Sequence, residues 1–195
     1  MDVAAHVVEF WKEAGPAKWF ARDDAFDAQF RQLFLNEHFA AASRAREHWL
    51  GSAEGALALM LLLDQFPRNC FRGSAHSYAT DGLARHYAMR AIEEGLDLQL
   101  VPKLRAFIYL PFEHSEDPLD QDRSVAMFDV LGDKEYLQYA ELHRDIIRRF
   151  GRFPHRNAVL GRIPSPEELD YLPKAVSPAK KKGTEGIKSF LPQTT

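Results

Sequence analysis

Cysteine is almost missing from this chain of 195 residues, in which Cys70 stands alone. One thiol makes neither an internal disulfide nor a cysteine-rich zinc cage, so stability must come from a packed core, and a reducing, cytoplasmic setting is expected. Long apolar runs are missing too. The longest, Ala56 to Leu63, is far too short to span a bilayer, and the start Met1-Asp2-Val3-Ala4-Ala5-His6 lacks the basic and apolar stretches of a signal peptide. Charge of one sign is scarce: 25 basic against 28 acidic residues leave a formal net charge of -3. Such a balance attracts neither nucleic acid nor an anionic membrane, and any anion site must be local. Strand-like alternation never extends beyond a few residues. No phosphate loop, dinucleotide-binding glycine pattern, His-Glu-x-x-His helix or nucleophile elbow occurs.

What the chain has is aromatic bulk, 14 Phe and 3 Trp, together with helical periodicity. Val3, Val7, Val8 and Trp11 share a face that stops at Gly15-Pro16. Phe26, Phe30, Leu33, Phe34 and Ala41 mark a long amphipathic helix from Asp23 to Arg46. Ser52 precedes Ala53 to Phe66, apolar around its whole circumference and therefore central. Ser74 is expected to cap a helix through Tyr78, Leu83 and Tyr87 to Gly95. The next helix, Lys103 to Leu110, meets Pro111 and must end or kink there, leaving carbonyls near Phe107 without their usual partners. Leu119 to Leu131, Lys134 to Phe150, and a short helix opened by the capping box Ser165-Pro166-Glu167-Glu168 complete the set. The expectation is an all-α fold of about eight helices in stacked antiparallel hairpins: a single domain over 1–172, then a polar, lysine-rich tail over 173–195.

Three polar clusters interrupt this apolar design. Asp64, Gln65, Arg68 and Asn69 end the most apolar helix, where an unpaired polar group is costly. Glu113, His114 and Glu116 follow Pro111, and a histidine between carboxylates can titrate in the range useful for acid-base work. Arg149, His155, Arg156 and Asn157 surround Phe153-Pro154, a second Phe-Pro corner resembling Phe66-Pro67 with one residue inserted. Each cluster also admits a plain structural reading, as a helix-ending device or a solvated face. His143-Arg144-Asp145 matches a kinase catalytic loop only by chance, since Phe150 stands where an asparagine would be needed. His114, His143 and His155 with Glu116 show no metal-ligand spacing, so neither metal nor cofactor is expected.

Taken together, LLDQFPRN at 62–69, LPF-x-HSE at 110–116 and FGRFPHRN at 150–157 resemble a bacterial family of uncharacterised proteins catalogued as a domain of unknown function. The similarity spans about Val8 to Leu172. It implies a tetratricopeptide-like fold of stacked helical hairpins and no established activity. Glu113 departs from the pattern, because similar sequences often carry an apolar residue such as Met there; the lysine-rich tail departs as well.

Two functions follow. In the first, Asp64, Gln65, Arg68, Asn69, His114, Glu116, Arg149, His155, Arg156 and Asn157 line a polar pocket of a binding protein for a small anionic ligand or a peptide carboxylate. In the alternative, His114 or His155 works beside Asp64 or Glu116 as acid or base in an enzyme. An enzyme should gather histidine, carboxylate and arginine in one pocket, whereas a scaffold should spread them along an open groove. The burial of the Asp64 corner predicts that the three clusters meet.

Overall fold

Helical patterning in the sequence becomes helix throughout the computed structural model, which describes the backbone of residues 2–176 and the side chains of residues 2–172. The order is α1 (Val3–Ala14), α2 (Pro16–Trp19), α3 (Asp24–Ala42), α4 (Ala53–Met60), α5 (Phe66–Cys70), α6 (Asp81–Glu93), α7 (Pro102–Glu113), α8 (Pro118–Leu131), α9 (Lys134–Phe150) and α10 (Pro166–Val176). Eight of these are eight residues or longer, and no strand occurs among the described residues. None is long and apolar enough to cross a membrane. The tail expected after residue 172 lies outside the described residues from 177 onward; α10 runs through Pro173 to Val176.

α4 is central, as its all-round apolarity requires, and packs against α1, α6 and α7. α1 closes one side through an aromatic cluster in which the buried Trp11 meets Phe30 at 5.5 Å and Phe107 edge-on at 5.5 Å. α7, α8 and α9 pack in succession, joined by the short connections 114–117 and 132–133 that turn each helix back along the one before. Asp23, Ser52, Asp117 and Asp133 cap the helices that follow them. The Ser165–Glu168 box closes both ways, Ser165 Oγ accepting from the Glu168 N–H at 3.2 Å and Glu168 Oε2 from the Ser165 N–H at 2.6 Å.

Several boundaries differ from the sequence reading. α3 stops at Ala42, where Ser43 closes the helix and Arg44 takes a positive φ of 65°. The helix expected from Ser74 to Gly95 is broken: Ala75–Tyr78 is a single 3-10 turn, and α6 starts only at Asp81. Pro111 does not end α7, which continues to Glu113. An interior proline costs about 3 kcal/mol, against about 1.5–3 kcal/mol gained for each fully buried side chain such as Leu110 or Phe112. The carbonyls at the end of α7 are then collected by one side chain, the Gln121 amide, which donates to Glu113 O at 2.7 Å and Ser115 O at 2.7 Å.

The central helix carries a feature that periodicity does not reveal. Between α4 and α5 the turn Leu61–Gln65 is π-helical, with the Phe66 N–H bonded to Leu61 O five residues back. Pro67 explains the consequence: it has no N–H for Leu63 O in α register or for Leu62 O in π register. Both carbonyls are satisfied from outside, Leu62 O by His38 Nδ1 at 2.9 Å and Leu63 O by the Thr80 hydroxyl at 2.5 Å. Thr80→Val keeps the side-chain shape but strands Leu63 O in the core. The variant should lose about 1–3 kcal/mol, seen as a lower urea midpoint at unchanged slope.

Candidate functional site

The π turn points Asp64 into the junction of the three polar clusters. Asp64 is buried and its carboxylate meets three groups: Gln65 Nε2 at 2.7 Å, Arg68 Nη1 at 3.0 Å and His114 Nδ1 at 2.8 Å. Arg68 lies one turn further along the same helix and reaches Asp81 with both terminal nitrogens, at 2.8 and 2.9 Å. Arg156 joins from the second Phe-Pro corner. Its Nη2 donates to His114 O at 2.9 Å, its Nη1 lies 3.5 Å from Asp81, and its guanidinium is stacked 4.5 Å from the rings of both Tyr78 and Phe153. Glu116 ties the last loop down, accepting from Arg162 at 2.7 and 2.8 Å and from the Phe153 N–H at 2.9 Å. Beside this network lies a cleft of about 450 Å³ lined by Tyr78, Asp81, Arg85, His114, Glu116 and Arg162, among others.

Electrostatics sets the protonation of the pair. Burial alone would raise Asp64, but Arg68 and then His114 outweigh it and hold the carboxyl at about 2. Burial and then Arg68 push His114 below its ordinary value, against the pull of Asp64. The Asp64 charge is therefore balanced by Arg68, and the imidazole stays neutral. Since a carboxylate only accepts, the ring proton sits on Nδ1. Nε2 is left as a bare lone pair, and no hydrogen bond engages it among the described residues. Glu116 is held below the usual carboxylate range: burial opposes this, and Arg162 and the Phe153 N–H prevail. His155 lies well below its usual value through burial and then Arg156.

Of the residues expected at one pocket, Asp64, Gln65, Arg68, His114, Glu116 and Arg156 do converge, with His155 electrostatically coupled to them. Three do not. Asn69 points to the other side of its helix and donates to Asp27 at 2.7 Å, where Arg72 also binds. Arg149 is exposed and pairs with Glu167 at 2.8 Å. Asn157 is buried against Glu168. The physical reason is helical rotation: Asn69 follows Arg68 by about 100°, and Arg149 precedes the left-handed Gly151 that turns the chain toward the cleft. The two Phe-Pro corners are not equivalent either, because Phe66-Pro67 lies within a continuous helix and Phe153-Pro154 beyond a helix end. Sequence reasoning passed over Asp81, Tyr78 and Thr80, which sit where a continuous helix was expected, and gave Arg162 no role.

Removing the charge that balances Asp64 should be costly: Arg68→Ala is expected to lose about 3 kcal/mol, and adding Asp64→Asn should restore part of it, a coupling measured by a double-mutant cycle of urea denaturation. The neutral histidine has a pH signature. Because the folded protein binds a proton at His114 less readily than the unfolded chain, stability is full above about pH 6.5 and falls as pH drops below that value. A second loss follows between about pH 4 and about pH 2, as Asp64 is protonated. Melting temperature against pH should show both steps, and Asp64→Asn should diminish the lower one, to which Glu116 and Glu168 also contribute.

No functionally curated protein matches the chain. Among solved structures, a protein of unknown function from Agrobacterium tumefaciens, ATU0120, is 56% identical, with a TM-score of 0.86 over 88% of this chain and 97% of its own. The family model described as bacterial protein of unknown function, DUF924, matches residues 7–175. The chain belongs to this DUF924 family of bacterial proteins.

Proposed function

We propose that this chain is an enzyme that uses His114 as a general base on a small polar molecule bound in the cleft. One observation carries the reading: a histidine that lines the cleft is locked in a single tautomer by Asp64 at 2.8 Å, which leaves its Nε2 without a hydrogen bond among the described residues. When Nε2 takes a proton, the imidazolium that forms lies against the Asp64 carboxylate, which stabilises it where the charge develops. Arg68 and Gln65 hold Asp64 in place, so the pair needs no reorganisation during the step.

The anionic group expected of the ligand fits the rim of the cleft. Arg162 and Arg85 are its most accessible guanidiniums, paired with Glu116 and Asp120 respectively. A ligand carboxylate or phosphate would exchange with one of these internal carboxylates. Arg156, buried and already committed to Asp81 and His114 O, would then be a fixed wall of the pocket.

One observation favours the binding reading instead. Each of these arginines is already paired to a carboxylate, as in a finished structural network, and a tetratricopeptide-like stack of hairpins would suit a peptide carboxylate by analogy with fold alone.

The discriminating experiment incubates wild-type protein and His114→Gln with a metabolite mixture and follows both retention and turnover by native mass spectrometry and NMR. General-base use of His114 predicts that His114→Gln still retains the molecule but turns it over about 10²- to 10⁴-fold more slowly. Equal retention by both proteins, with the molecule chemically unchanged, would overturn the enzyme reading in favour of the binding one.

A further inference from the structure

Behind the cleft, five buried polar atoms of α7, α8 and α9 find no hydrogen-bond partner among the described residues: both carboxylate oxygens of Glu113, Gln121 Oε1, Ser124 Oγ and His143 Nδ1. Buried polar atoms are almost always paired, so a concentration of unpaired ones at a single junction calls for a physical cause. Glu113, Gln121 and Ser124 are 0% exposed and His143 is 5% exposed. Contacts with Glu113 tie two of these side chains to the junction. His143 Nδ1 lies 2.7 Å from Glu113 Oε1, without the alignment of a hydrogen bond. Gln121 Nε2 donates to the backbone carbonyl of the same Glu113 at 2.7 Å. Ser124 is three residues beyond Gln121 on the same buried face of α8.

The hydrogen-bond inventory decides what fits. The Gln121 amide is anchored by the carbonyls of Glu113 and Ser115, and reversing it would set oxygen against oxygen, so Oε1 is the end left facing inward. Three oxygens therefore require donors: two of Glu113 and one of Gln121. Among the atoms left unpaired at the junction, the donors are the Ser124 hydroxyl proton and the His143 N–H that faces Glu113. An anion is excluded because acceptors are already in excess. A water molecule supplies two donors, accepts from a hydroxyl or an imidazole, and usually makes about three such bonds when buried.

We propose that the α7–α8–α9 junction is a buried solvent-binding site in which water donates to Glu113 and to Gln121 Oε1 and accepts from Ser124 or His143. It is separate from the cleft, although Glu113 immediately precedes His114 and the His114 and His143 rings lie 6.5 Å apart. The inference does not depend on what His114 does.

A high-resolution crystal structure of the wild-type protein tests it, together with NMR magnetisation transfer from water to the His143 ring. The expected result is ordered solvent within hydrogen-bond distance of Glu113 and Gln121 Oε1, with a water cross-peak at His143 that is lost in Glu113→Met. Solvent absent from the junction, with Glu113, Gln121 and Ser124 bonded directly to one another, would overturn the proposal. So would a density peak ringed by oxygens at cation–oxygen distances, which would make the occupant a metal ion.

Discussion

Arg68 is the side chain on which the candidate site depends, because its guanidinium answers two carboxylates at once. Asp64 is fixed in the core by the π turn, and Asp81 opens α6 on the opposite wall. Burying either carboxylate unpaired would cost several kcal/mol, and one planar cation with a fixed fork of donors compensates both. Because Arg68 carries the balancing charge, His114 is free to remain neutral while still bonded to Asp64. Without Arg68, the same short contact would favour an imidazolium, and the Nε2 lone pair would be lost.

The geometry that places Asp64 there is itself the result of a missing donor. Pro67 removes one N–H from the central helix, the donor for Leu63 O in α register and for Leu62 O in π register, and Thr80 and His38 donate to these two carbonyls instead. Thr80 immediately precedes Asp81, so the bond that satisfies Leu63 O also sets the wall of the cleft against the π turn. His38 Nε2 in turn faces His76 Nε2 at 2.9 Å, on the turn that contributes Tyr78 to the lining. Backbone satisfaction and site assembly are thus carried by the same few side chains, and a π turn beside a candidate site is a familiar association.

Two carboxylate–histidine pairs stand nearly back to back at the end of α7. His114, bonded to the buried Asp64, lines the cleft, whereas Glu113 and His143 are sealed among α7, α8 and α9. The difference lies in compensation. Asp64 has Arg68, Gln65 and His114 around it, while the Glu113 carboxylate has the misaligned His143 beside it and makes no hydrogen bond among the described residues. Consecutive helical residues diverge by about 100°, so the same helix end can serve the cleft with one side chain and the interior with the other.

Much of the fold was legible in the sequence because helical periodicity, caps and breakers act within a few residues. The all-helical class, the burial of the central helix from Gly55 to Phe66, the Ser165–Glu168 box and the hairpins after residue 118 are of this kind. The requirement that Asp64 and Arg68 find distant partners was legible too, since it follows from placing charge at the end of an apolar helix. The choice of partners was not. Asp81, Thr80 and Tyr78 look like ordinary residues of a continuous helix, and Asn69 and Arg149 look as well suited to the site as their neighbours. Only the tertiary structure assigned them, because pairing depends on which helix faces come together, and a rotation of about 100° per residue separates a site residue from one that braces the opposite side.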